Sequence, residues 1–115
     1  MEPESHALQP GRAAADTGPV NLSALSGIHA ADLMLDTTAG NTANLDRPGY
    51  RAGRVDLAAD AAGGVSASVS RAATPGIDLA EQTVALITGS VLYGANARML
   101  QTRAETERSI IDVRA

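Results

Sequence analysis

At 115 residues the chain has room for one domain, and its 44 % hydrophobic content includes no Phe, no Trp and only two Tyr, so alanine makes up much of the apolar fraction. The net charge is −4 and all nine basic residues are arginines dispersed along the chain, which excludes a nucleic-acid footprint and a polybasic membrane patch. The absence of cysteine excludes a disulfide framework, a thiol nucleophile and a thiolate metal site.

Residues 1–20 hold three of the five prolines without apolar periodicity and read as a flexible leader. They also lack the basic start and apolar run of a cleaved secretory signal. From about residue 22 to about 44, Leu22, Leu25, Ile28, Ala31, Leu35 and Ala39 recur in steps of three and four, with Leu33 and Met34 widening the face, and predict a helix. Asp46-Arg47-Pro48-Gly49 supplies turn chemistry that ends it.

Within 45–76, Arg54 to Leu57 and Val65 to Arg71 read as short strands, because Val65, Ala67 and Val69 alternate with serines. Ala61-Ala62-Gly63-Gly64 separates them, which predicts a small β-hairpin that needs helices as backing.

A second helix is predicted over about 78–113. Pro75-Gly76 cannot extend it backwards, Asp78 is its N-cap candidate, and Glu81 follows three residues later. Val84, Ile87, Val91, Ala95, Met99, Thr102, Thr106, Ile110 and Val113 form one stripe, and Arg103 with Glu107 and Arg108 with Asp112 are spaced to pair across one turn. At about 1.5 Å per residue such a helix is roughly 50 Å long. Gly89 and Gly94 lie inside it, either as tolerated defects or as places where a neighbouring helix comes close.

The fold class expected is mainly α: two long terminal helices packing as an antiparallel or coiled-coil-like pair, joined by a short loop or β-hairpin segment, in a single domain over 21–115. Leu25, Ile28 and Leu35 against Val84, Ile87, Val91, Met99 and Ile110 would make the helix seam, within a subunit and between copies. Alanine favours helix but buries little area, so a monomer core would be thin and partners would supply stability.

No constellation of catalytic groups emerges. Tyr93 and Asn96 share a neighbouring surface of the second helix but have no base and no nucleophile. Asn41 and Asn44 suit a helix end, as a local cap or an interface contact. His29 with Asp32 and Asp36 reads as a solvated polar face, since no second histidine or cysteine lies near to complete a metal set. Gly63-Gly64 lacks the P-loop lysine, and the serines lack an elbow motif or a histidine placed for a triad. The expectation is therefore no enzyme, no cofactor and no metal.

Two strings carry a resemblance. The first is Ser23-Ala24-Leu25-Ser26-Gly27-Ile28, followed by Leu35-Asp36, Ala39-Gly40-Asn41-Thr42-Ala43-Asn44 and Pro48-Gly49-Tyr50. The second is Asp78-Leu79-Ala80-Glu81, Val84, Leu86-Ile87, Tyr93-Gly94-Ala95-Asn96-Ala97, Gln101-Thr102 and Ile110-Ile111-Asp112, led into by Gly64-Val65-Ser66-Ala67-Ser68-Val69. In this order they resemble the terminal signatures of the bacterial flagellar rod and hook proteins, in the manner of a short, proximal-rod-like member.

The resemblance implies a structural subunit of the flagellar basal body, exported through the type III apparatus without a cleaved signal and residing in the periplasmic rod. Its partners would be other axial subunits, copies of itself and the export apparatus, with no nucleic acid and no direct membrane insertion. The interface residues implied are Leu25, Gly27, Ile28, Leu35, Asn41, Asn44, Pro48, Gly49, Tyr50, Val84, Ile87, Val91, Tyr93, Asn96, Met99 and Ile110. Gly40, Thr42 and Asp46-Arg47 depart from the family pattern, which keeps open an accessory rod-like paralogue that binds export machinery or rod subunits and regulates assembly.

Overall fold

A computed structural model describes the backbone of residues 4–114 and the side-chain environment of residues 22–112. The element order is helix α1 (Glu4–Ala43), strand β1 (Gly53–Ala59), strand β2 (Val65–Arg71) and helix α2 (Leu79–Arg114). The chain is mainly helical, its two helices pack against each other, and the two strands form one antiparallel sheet. The backbone of α1 is described from Glu4, and the flexible leader expected over 1–20 falls outside the residues whose side-chain environment is described.

Local chemistry sets the element ends. Asn44 caps α1, its backbone N–H and its side-chain Nδ2 both donating to Gly40 O, at 3.1 and 2.8 Å. A turn follows in which Tyr50 N donates to Arg47 O at 3.2 Å, with Pro48 at its second position and Gly49 at φ 79°, a conformation glycine takes without a steric penalty. Asp78 caps α2, its Oδ1 accepting from Ala80 N at 3.0 Å and Glu81 N at 3.3 Å.

The hairpin pairs Gly53 with Arg71 at its base and Ala59 with Val65 at its tip. Asp60 organises the connection: its N–H donates to Gly64 O, its carbonyl accepts from Gly63 N, and its Oδ1 accepts from Ala62 N.

The hairpin lies along α1 and is held at both ends. At its base, Asn41 of α1 bonds both backbone groups of Gly53. At its tip, Ser26 Oγ accepts from Val65 N at 3.1 Å while donating to Ser23 O at 2.8 Å. The spans match: seven strand residues cover about 20 Å and the sixteen residues from Ser26 to Asn41 rise about 22 Å.

Contacts between the helices fix their relative direction. Asn41 meets Gln82, Leu35 meets Gly89, Gly27 meets Asn96, and Leu22 and Leu25 face Leu100 and Ala104, so α2 descends as α1 ascends. The apolar residues buried completely in the seam are small. The buried hydrophobic residues are Ala24, Ala30 and Ala31, and no large apolar side chain reaches full burial among the described residues. The result is long and thin, 67 × 31 × 17 Å with a radius of gyration of 19.9 Å, where a compact chain of this length would have about 13 Å.

Candidate assembly surface

The polar centre of the molecule is Asn41, 2 % exposed on the last turn of α1. Its Nδ2 donates to Gly53 O and to Gln82 Oε1, both at 2.9 Å, and its Oδ1 accepts from Gly53 N at 2.8 Å. One carboxamide thereby joins α1, β1 and α2 with its two donors and its acceptor engaged, which is the condition for burying an amide without loss. Gln82, 5 % exposed, is buried because it faces this group.

Fourteen residues away along α1, Gly27 and Asn96 make the second fixed point. A Cβ at Gly27 would lie 2.6 Å from Asn96 Cγ, so only glycine leaves room for this carboxamide, which in turn donates to Leu92 O at 2.8 Å. A third close approach lies between them, where a Cβ at Gly89 would come 3.1 Å from Leu35 Cδ2 and 3.5 Å from Met34 Cβ. Beyond Gly27 the seam loosens into an open hollow between Leu22, Leu25, Leu100 and Ala104, edged by Arg103 and Glu107, which pair at 3.7 Å.

This geometry corrects the seam expected within the subunit. Val84, Ile87 and Val91 are 63, 59 and 66 % exposed, and Met99 and Ile110 are also largely exposed. The residues of α2 turned toward α1 are Gln82, Ala85, Gly89, Leu92, Asn96 and Leu100, a repeat of threes and fours displaced around the helix from the branched stripe. The physical reason is steric. Two long helices approach most closely where side chains are small or absent, so the closest contacts form at Gly27 and Gly89, each receiving a larger side chain from the other helix, and this sets the face of α2 that turns inward.

The other expected site residues divide in the same way. Ile28 and Leu35 are half-buried along the seam, and Leu25 stands at its open end. Asn44, Pro48 and Gly49 shape the chain reversal after α1. Tyr50 carries the Arg71 guanidinium 5.5 Å from its ring centroid. Tyr93 is exposed while Asn96 turns into the seam, so within one chain the two have different surroundings. Of the two interior glycines, Gly89 marks a close approach and Gly94 faces open space.

Sequence reasoning passed over Gln82, Gly53 and Ser26. Gln82 was readable as the first member of the 3-4 repeat it begins; Gly53 and Ser26 carried no comparable signal. Among the described residues no group of three or more His, Cys, Asp or Glu side chains is placed to hold a metal ion, and no helix is long and apolar enough to cross a membrane.

The arrangement also exposes an apolar strip on α2. Val84, Ile87 and Val91 lie three and four apart on the side of α2 away from α1, with Gly94 and Ala95 continuing the strip without bulk. No protein-family model and no curated protein matches the chain.

Proposed function

We propose that the chain is a structural, non-enzymatic subunit of the bacterial flagellar basal-body rod, assembling through its terminal helices. The observation that carries this reading is the placement of its apolar residues: the fully buried ones among the described residues are alanines, and the branched stripe of α2 faces outward. A helix surface of this kind, on a chain with so little interior, becomes energetically sensible when neighbouring subunits cover it, at about 25 cal/mol per Å² of apolar area removed from water. The coiled-coil-like packing expected of the helices then belongs to contacts between copies as well as to the pair within one.

The residues behind the family resemblance support the same reading because they explain one another. Gly27 belongs to the N-terminal signature and Asn96 to the C-terminal one, and they pack face to face. Asn41 holds the hairpin base, and Pro48-Gly49-Tyr50 makes the turn into it. Partners on this reading are other axial subunits, further copies and the export apparatus, and the site of residence is the periplasmic rod.

The test is to tag the protein in a flagellated host, purify detergent-extracted hook and basal-body particles, and quantify it by immunoblot. Stoichiometric presence is expected. Absence, with motility unaffected by the tag, would overturn the rod assignment in favour of an accessory paralogue acting on assembly.

A further inference from the structure

The nine arginines are dispersed in sequence, but the fold gathers three of them. Arg47 from the turn after α1, Arg51 from the segment leading into β1 and Arg71 from the end of β2 line one open hollow of about 340 Å³, completed by Pro48, Gly49 and Tyr50. No carboxylate lines it. Asp36 borders the adjoining hollow, where Tyr50 and Arg71 also stand, and makes no ion pair with Arg71 within 4.0 Å. Arg71 is already fixed: its Nη1 donates to Tyr50 Oη at 3.1 Å and to Arg51 O at 3.2 Å, which leaves Nε and Nη2 for another acceptor. A guanidinium held in place this way loses little freedom when it takes a carboxylate.

We propose that this hollow docks a carboxylate-bearing surface of a second copy of the chain. The inference rests on the self-assembly reading above and names one of its contacts. Charge complementarity identifies the occupant. Apart from these three arginines the chain carries six arginines against thirteen carboxylates, a net of −7, so the rest of a copy, its body, is acidic as a whole, with Asp46 beside Arg47 and Asp36 in the adjoining hollow the carboxylates nearest the three arginines. Asp32 and Asp36, four apart and exposed on α1, are examples of what that body displays. The same acidic body repels polyanions such as nucleic acid or an anionic bilayer. A basic end meeting an acidic flank is a heterologous contact, the type that continues into a filament.

Sedimentation velocity on the full chain tests this over a concentration series at about 50 mM and about 500 mM NaCl, where the Debye length falls from about 14 to about 4 Å. The variants are Arg51→Glu, Arg47→Gln and Arg108→Glu, with circular dichroism confirming their helix content; Arg108 is exposed on α2, and its substitution makes the same charge change outside the hollow. The expected result is association of the wild-type chain that weakens about tenfold with Arg51→Glu and with added salt, and much less with Arg108→Glu. Association that is insensitive to salt, or equal in Arg51→Glu and Arg108→Glu, would overturn the arginine contact while leaving self-assembly standing. A wild-type chain that stays monomeric throughout would overturn both.

Discussion

Asn41 and Gln82, 41 residues apart in sequence, are joined by a 2.9 Å hydrogen bond between two buried carboxamides, and the same Asn41 closes on both backbone groups of Gly53. An aspartate at this position would set a carboxylate against Gly53 O and Gln82 Oε1, two acceptors with no proton to offer it. Asn41→Asp is expected to lower unfolding free energy by about 3 kcal/mol and Asn41→Ala by about 2 kcal/mol, because buried groups lose their partners. Urea denaturation monitored by circular dichroism measures both, and a loss under about 0.5 kcal/mol for either would remove Asn41 from its central place.

Gly27 and Asn96 should behave as a coupled pair. Gly27→Ala pushes a methyl group into the Asn96 carboxamide and is expected to destabilise by about 1–3 kcal/mol, despite alanine being the better helix former. Truncating the obstacle in the double variant Gly27→Ala/Asn96→Ala should recover at least half of that loss. A double-mutant cycle showing simple additivity would mean that the two side chains do not compete for the same space.

The two glycines inside α2 should separate. Gly94→Ala meets nothing within 4 Å and is expected to stabilise the isolated chain by about 0.8 kcal/mol through helix propensity. Gly89→Ala has to displace Leu35, so its gain should be smaller by about 1 kcal/mol or reversed. Equal effects on the denaturation midpoint would mean that the helices approach no more closely at Gly89 than at Gly94.

Val91→Asp places a charge on the outward strip, where the side chain is 66 % exposed. Its effect on the stability of the isolated chain should stay within about 0.5 kcal/mol, the usual range for exposed positions. On the proposed rod reading, incorporation into basal-body particles should be lost while export remains detectable, since a neighbouring copy would have to bury the new carboxylate. Normal incorporation would exclude this face of α2 from the subunit contact.

Readability from sequence followed the strength of the local signals. The α2 cap at Asp78, the turn at Pro48-Gly49 and the alternating Val65, Ala67 and Val69 each have one dominant local cause, and all three stand where the sequence places them. The helix seam was misread because apolar periodicity weights large residues, while the packing surface is chosen by the closeness that Gly27, Ala31 and Gly89 permit. Arg103 and Glu107 pair as their spacing suggests, whereas Arg47, Arg51 and Arg71 converge through the hairpin, which no local pattern encodes.

The seam of small residues has a consequence for how the chain would respond to random mutation. A saturation library screened for folding should find its strictest positions at Ala24, Gly27, Ala31 and Gly53, where enlargement is punished, and its most permissive at Val84, Ile87 and Val91. If the chain is the rod subunit proposed above, a second screen, for swimming, should add the latter three to the forbidden set. On the rod reading proposed above, the difference between the two maps would outline the surface that copies share.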